Sequence, residues 1–140
     1  MRRMLIPILL SVSLWMAAAH ADAGYYRYRD NRKLYYTENG KIYRYSDNQQ
    51  LYFYRDGAIY RYRDNRKLYY LENDKVYRYS DNQQLFYYEN DALYRYRDNR
   101  KLYYFENDKV YRYRDNQQIL FYRGNDPKLV RIMVLMLVDM

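Results

Sequence analysis

The chain has 140 residues, which is enough for one domain of ordinary size and too few for two. It contains 24 tyrosines and no cysteine, so its core has to be built from aromatic side chains without disulfides. The formal net charge of +8 favours anionic polymers or surfaces as partners, although a solvated basic face that aids solubility fits the same charge.

Residues 1–21 have the features of a secretory signal peptide. Two arginines precede an apolar run that ends in small residues. This run is shorter than the roughly 20 residues that a membrane-spanning helix needs. Two positions fit the small-x-small cleavage rule, so the mature chain is expected to begin at Asp22 or Gly24. The sequence therefore predicts an exported protein, periplasmic or secreted, that does not span a membrane after cleavage.

Residues 22–126 contain six copies of one 17-residue unit. The pentapeptide Tyr-Arg-Tyr-(Arg/Ser)-Asp opens each unit, at Tyr26, Tyr43, Tyr60, Tyr77, Tyr94 and Tyr111. After the following asparagine, Arg-Lys and Gln-Gln alternate, so a larger unit of 34 residues occurs three times. Self-similarity at a fixed period indicates a repeat architecture.

Each unit contains two runs of β-forming residues separated by turn residues. One turn is always Asp-Asn, and the other is Asn39-Gly40 or its equivalents, such as Asp56-Gly57 and Asn73-Asp74. This pattern predicts an all-β fold of about twelve short strands, an antiparallel β-hairpin repeat array in the form of a meander or a hairpin solenoid. A parallel solenoid is disfavoured, because it would stack equivalent arginines in one like-charged column.

The register of a meander depends on the lengths of its turns. We first consider Asn48-Gln49 at the tip of one turn and a three-residue loop, Asp56-Gly57-Ala58, at the other. The pairing that results repeats every 17 residues, as the sequence does. It predicts that six tyrosines share one face of the sheet, namely Tyr43, Tyr45, Tyr52, Tyr54, Tyr60 and Tyr62.

The opposite face then carries Phe53, with Arg44 and Arg61 close enough to stack on its ring. Asn39-Gly40, however, favours a two-residue hairpin. A two-residue turn would move equivalent side chains to the opposite face of the sheet once per unit, unless a β-bulge moves them back.

Residues 127–140 depart from the repeat, because they are mostly apolar and contain neither tyrosine nor a turn signal. Two interpretations remain open. The segment is either a cap over the open end of the array or a non-native tail produced by a frame slip in repetitive coding sequence. It is too short to span a membrane.

Enzymatic chemistry is not expected of this chain. Beyond residue 21 it contains no histidine and no cysteine, and its only serines are Ser46 and Ser80, both inside the repeats. No nucleophile and base can therefore be paired, and thiol and imidazole metal ligands are missing. The carboxylates recur in every unit at the turns, where they stabilise the backbone. Glycoside hydrolysis instead needs a single pair of carboxylates at one site. We expect no catalytic residue, no metal and no cofactor.

The alternation of tyrosine and arginine supplies the candidate ligand-binding residues. Aromatic faces stack on sugars, and guanidinium groups bind carboxylate, sulfate or phosphate in a bidentate manner. The candidates are Arg27, Arg44, Arg61, Arg78, Arg95, Arg112, Tyr36, Phe53, Tyr70, Tyr87 and Tyr104. They predict binding of an anionic envelope or extracellular polymer through Tyr/Arg strips, with an anionic glycan or an envelope lipid as partner. Nucleic acid is not expected, since an exported protein seldom meets it.

The alternative is a structural protein. In a cysteine-free sheet, tyrosine ladders and arginine–aromatic contacts are also what stabilises the strands. A meander leaves two unpaired edges, through which copies of the chain would self-associate.

Three stretches resemble families of bacterial proteins. The sequence ADAGYYRYRDNRKLYYTEN is similar to the opening of a small exported domain of unknown function that follows a signal peptide. The run Tyr43-Arg44-Tyr45-Ser46-Asp47 resembles the tyrosine–aspartate (YD) repeats of large surface and toxin-shell proteins. NGKIYRYSDNQQLYFYRDG resembles the choline-binding and toxin cell-wall-binding hairpin repeats. Together the resemblances imply a bacterial, exported, non-enzymatic and tyrosine-rich β-hairpin repeat protein.

Overall fold

A computed structural model describes residues 23–124, and they form twelve antiparallel strands. The predicted signal peptide, residues 1–21, and the tail, residues 127–140, lie outside the described residues. The strands are β1 (Ala23–Arg27), β2 (Arg32–Glu38), β3 (Lys41–Arg44), β4 (Gln49–Arg55), β5 (Ala58–Arg61), β6 (Arg66–Glu72), β7 (Lys75–Arg78), β8 (Gln84–Glu89), β9 (Ala92–Arg95), β10 (Arg100–Glu106), β11 (Lys109–Arg112) and β12 (Gln117–Gly124). The predicted all-β hairpin array of twelve strands is confirmed.

The array closes on itself, which corrects the prediction of an open meander or a solenoid. Each strand pairs with the next one along the chain, and β12 pairs with β1 to complete a barrel. At this seam Ala23 faces Gly124 and Arg27 faces Leu120. Closure is possible because every sheet twists, and pairing the first and last strands satisfies the backbone groups that an open edge would leave unpaired.

The barrel has two different ends. One end, here called the loop end, carries the six Asp-Asn loops at 28–31, 45–48, 62–65, 79–83, 96–99 and 113–116. The other, here called the turn end, carries the two-residue turns together with Ala23 and Gly124, the two ends of the described chain. Long strands, which run from the loop end to the turn end, alternate with strands of four or five residues.

The second turn of each unit has two residues, which corrects the predicted three-residue loop. Arg55 pairs directly with Ala58, so only Asp56 and Gly57 lie between the strands. Both have positive φ angles, 50° and 76°, as a type I′ hairpin requires. The equivalent turns have the same backbone, including Asn73-Asp74, where φ is 51° and 63°.

One β-bulge in each long strand, at the position of Leu51, returns the side chains to their original face of the sheet. Ile42 pairs with Tyr52 and Tyr43 pairs with Gln50, so Leu51 is the extra residue between them. The same register shift recurs at the other long strands, at Leu34, Leu68, Leu85, Leu102 and Ile119. One extra residue per unit cancels the change of face caused by the two-residue turn.

The interior is filled by apolar side chains from both kinds of strand. One position of the short strands is almost fully buried in every unit, with 0–2% exposure, at Tyr25, Ile42, Ile59, Val76, Leu93 and Val110. The predicted single face of tyrosines is wrong: Tyr52 and Tyr54 pack against this core, whereas Tyr60 stacks on Phe53. The tyrosines of one unit are therefore divided between the interior and the outer face.

Candidate ligand-binding surface

Each candidate arginine is held in an ion pair by the aspartate three residues later. Arg44 donates from Nε to Oδ1 of Asp47 at 3.1 Å and from Nη2 to Oδ2 at 2.6 Å. The other five pairs have the same geometry and are Arg27–Asp30, Arg61–Asp64, Arg78–Asp81, Arg95–Asp98 and Arg112–Asp115. The aspartate also accepts a hydrogen bond from the backbone N–H two residues further on, as Asp47 does from Gln49 at 3.2 Å.

These ion pairs set the electrostatics of the loops. The hydrogen bond from Arg27 is the main reason why the pKa of Asp30 falls from 3.8 to about 2, and the pKa values of Asp64 and Asp98 fall to about 2 for the same reason. Conversely, the pKa of Arg27 is raised, first by its hydrogen bond to Asp30. The arginine and aspartate side chains remain between 26% and 45% exposed, so each pair braces its loop in contact with water.

The candidate aromatic residues lie on the outer face of the barrel, opposite to the face of the candidate arginines. Tyr36 stacks on Tyr43 with ring centroids 5.0 Å apart and an interplanar angle of 9°. Phe53, Tyr70, Tyr87 and Tyr104 stack in the same way on the tyrosine of the next short strand, at 4.8–5.0 Å. Since neighbouring residues of a strand point to opposite faces, Tyr43 on the outer face implies that Arg44 points inwards.

The structure therefore separates the two candidate sets. The predicted contact of Arg44 and Arg61 with Phe53 is wrong, because both guanidinium groups are paired with aspartates at the loop end. The cation over Phe53 is Arg55, whose guanidinium carbon lies 5.3 Å from the ring centroid. Arg55 comes from the turn end of the same strand.

A second aromatic set was missed by the sequence analysis. Each loop exposes its tyrosine by 49–52%, and these residues are Tyr28, Tyr45, Tyr62, Tyr79, Tyr96 and Tyr113. Tyr45 meets Tyr36 edge to face, with centroids 6.4 Å apart. The pair formed by a long-strand ring and the tyrosine of the following loop is here called an aromatic clamp. The hydroxyl of Tyr36 donates to Oδ1 of Asn48 at 3.0 Å, which fixes the ring beside the loop.

Lysines occupy three of the aromatic clamps. The Nζ atom of Lys33 lies 5.5 Å from the ring centroid of Tyr36 and 5.0 Å from that of Tyr45. Lys67 and Lys101 make the same contacts in the clamps of β6 and β10. An ammonium group within about 6 Å of two ring centroids is attracted by both aromatic rings.

Charge is distributed unevenly between the two ends. The only acidic residues in and next to the loops are the six paired aspartates, whereas ten further cations lie there: Arg29, Arg32, Lys33, Arg63, Arg66, Lys67, Arg97, Arg100, Lys101 and Arg114. The turn end has eight acidic residues, Glu38, Asp56, Glu72, Asp74, Glu89, Asp91, Glu106 and Asp108, and five basic ones. The loop end is thus strongly basic and the turn end mildly acidic.

Residues 23–124 hold no group of three histidine, cysteine, aspartate or glutamate side chains placed to bind a metal ion. Over the same range there is no helix with the length and apolar character needed to cross a bilayer. Comparisons with protein-family models, with curated proteins and with solved structures gave no match.

Proposed function

We propose that this protein is an exported, non-enzymatic repeat domain that binds an anionic envelope or extracellular polymer at the loop end of its barrel. The observation that supports this most directly is the concentration of ten cations at one end, where every acidic residue is already paired with its own arginine. A positive field of this kind attracts polyanions and holds them by exchange with their counterions.

The exposed loop tyrosines add contact area to this charge. Tyr62 is 51% exposed and stands next to Arg63 in the same loop. An aromatic face beside a guanidinium group can pack against the apolar side of a sugar ring while the cation meets its acidic substituent. In this proposal the six arginine–aspartate pairs hold the loops in place, and Arg29, Arg63 and Arg97 contact the polymer.

The chain offers its own substitutions for a test. Serine stands at positions 46 and 80, where the other four loops have arginine. Arg29→Ser, Arg63→Ser and Arg97→Ser together should therefore leave the fold intact. We expect this variant to elute from immobilised dextran sulfate at lower salt, with the slope of log affinity against log salt reduced by about one for each contacting cation removed.

The control removes the same charge from the other end. Alanine replaces lysine at positions 58 and 92 in the repeat pattern, so Lys41→Ala, Lys75→Ala and Lys109→Ala form the matched variant. We expect it to elute close to the unmodified protein. Equal shifts in the two variants, or no shift in the serine variant, would refute a binding surface at the loop end.

The alternative of edge-to-edge assembly needs unpaired sheet edges. β1 and β12 pair along five residues, so the twelve described strands leave no edge open. No other observation on the described residues favours assembly over polymer binding.

A further inference from the structure

Three of the six aromatic clamps have no lysine. In the clamps of β2, β6 and β10 the lysine ammonium lies over both rings, but the equivalent residues of β4, β8 and β12 are glutamines: Gln50, Gln84 and Gln118. Glutamine carries no charge to place between the rings. No lysine ammonium therefore lies over the two rings in these three clamps.

Two of these three clamps have also lost a hydroxyl. The long-strand ring is Phe53 in β4 and Phe121 in β12, whereas the other four strands have tyrosine. In β8, for example, Tyr87 donates its hydroxyl to Oδ1 of Asn99 at 3.1 Å. A phenylalanine cannot make this bond, so the carboxamide of Asn65 receives no such donor beside Phe53.

A groove of about 480 Å³ lies at the β4 clamp. Its walls include the rings of Phe53 and Tyr62, and Gln50 and Asn65 line it together with Arg55. This volume is within the usual range for small-ligand sites. Two amides that can each donate and accept hydrogen bonds thus line the same groove as two aromatic rings and a guanidinium group.

The charged residues at the groove decide whether its ligand is a cation or an anion. The guanidinium of Arg55 lies 5.3 Å from the centroid of Phe53 and 5.1 Å from that of Tyr60, and Lys41 also lines the groove. These two cations would repel an ammonium ligand, although the lysine-filled clamps show that the rings themselves accept one. The groove is suited to a ligand with a flat apolar face, several hydroxyls and one anionic group.

The β12 clamp at the barrel seam repeats the residues of the β4 clamp. Phe121 stacks on Tyr26 at 4.9 Å, and the guanidinium of Arg123 lies 5.3 Å from Tyr26 and 5.8 Å from Phe121. Tyr28, Gln118 and Asn31 stand where Tyr62, Gln50 and Asn65 stand in the first groove. Phenylalanine, glutamine and arginine thus occur together in β4 and β12, whereas β8 has the glutamine alone.

We propose that the β4 and β12 clamps each bind one uronic acid residue of an acidic polysaccharide. The sugar ring packs between Phe53 and Tyr62, its hydroxyls bond to Gln50 and Asn65, and its carboxylate pairs with Arg55 in a bidentate manner. The inference rests on the proposed function, since it names the sugar class of that polymer. It depends on different cations, Arg55 and Lys41 instead of those of the loops, although Tyr62 belongs to both surfaces.

The test uses tri-galacturonic acid as a short probe and follows the side-chain amide signals of Gln50, Asn65 and Gln118 by NMR titration. Phe53→Tyr with Gln50→Lys rebuilds, in β4, the closed clamp that β2, β6 and β10 already have, so the fold should tolerate it. We expect the dissociation constant at this groove to rise at least tenfold, although the variant gains one positive charge, while the signals of Gln118 titrate as before.

Gln84→Lys is the matched control. It adds the same charge in β8, where the ring is already Tyr87, and should leave both grooves unchanged. Unaltered probe binding in the Phe53→Tyr, Gln50→Lys variant would overturn the inference. So would equal binding of tri-galactose, which lacks the carboxylate, or of a single-stranded trinucleotide, which would make the clamps base-stacking sites.

The two proposals can fail separately. If the serine variant of the loop end binds dextran sulfate normally while the clamp variant loses tri-galacturonic acid, the loop-end surface is wrong and the uronate sites stand. The reverse pattern rejects the uronate sites and leaves the loop-end surface in place.

Discussion

Ile59 offers the sharpest test of the closed barrel. Its side chain is fully buried, and it lies across from Tyr54 on one side and Tyr69 on the other. Ile59→Ala removes three carbons, worth about 2.4 kcal/mol at about 0.8 kcal/mol each. A ring of hydrogen-bonded strands cannot move inwards to fill the space, so a cavity term adds to this. We expect a total loss of about 3–4 kcal/mol in the free energy of unfolding.

The assay is urea unfolding followed by far-ultraviolet circular dichroism and tyrosine fluorescence. Ile59→Val should cost only about 0.5–1.5 kcal/mol, because valine occupies the same position at Val76 and Val110. Lys75→Ala, an exposed substitution, should change stability by less than about 0.5 kcal/mol. A loss below about 1 kcal/mol for Ile59→Ala would mean that this residue is not enclosed by the barrel, and the described closure would be wrong.

The lowered pKa values of the loop aspartates predict acid sensitivity. The pKa of Asp30 is about 2 in the folded protein and 3.8 ordinarily, so its contribution to stability is complete above about pH 4 and is lost as the pH falls towards 2. Urea midpoints should fall over this range, and less so after Asp30→Asn; an identical pH profile in that variant would contradict the ion pair. A third prediction is that signal-peptide cleavage leaves a chain that begins at Asp22, because cleavage before Gly24 would remove Ala23, whose backbone N–H donates to Oγ1 of Thr37 at 3.1 Å. N-terminal sequencing of secreted protein decides this, and a chain starting at Gly24 or Met1 would refute it.

The strands and the positions of the turns could be predicted because each is specified by local chemistry. Asn39-Gly40 selects a two-residue turn through the backbone freedom of both residues, and φ is 51° and 76° there. The register could not be predicted, because Leu51 has the composition of an ordinary strand residue and its role as a bulge depends on both neighbouring strands. Once a two-residue turn is accepted, the need for one extra residue per unit follows from the 17-residue period.

The sequence contains one feature that indicates barrel closure. The repeats begin with a short strand, β1, and end with a long one, β12, so the two are the complementary halves of one further hairpin. Tyr25 also occupies the position of Ile42 in the 17-residue pattern. That β12 and β1 meet nevertheless depends on the accumulated twist of twelve strands, which no single unit encodes.

The sequence indicated tyrosine and arginine as the residue types of the candidate site. The positions of these residues on the barrel could not be predicted from it. Arg44 ends β3 and Asp47 lies in the following loop three residues later, a spacing that could have indicated their ion pair. The exposed tyrosines could not be distinguished from the stacked ones, because both alternate with arginine. The open clamps were detectable as departures from the repeat, at Gln50, Phe53 and Arg55.

The seam between β1 and β12 also limits how the gene can vary. In an open array one more unit adds material at an end and leaves the existing units undisturbed. Here an inserted unit would add two strands to a closed ring and widen it, because barrel diameter grows with strand number. Residues such as Ile59 and Leu93 would then line a space too wide for them to fill. Unequal recombination between the near-identical repeats would therefore yield chains whose core no longer fits, so selection should hold the number of units constant even where the DNA encoding them is prone to expand.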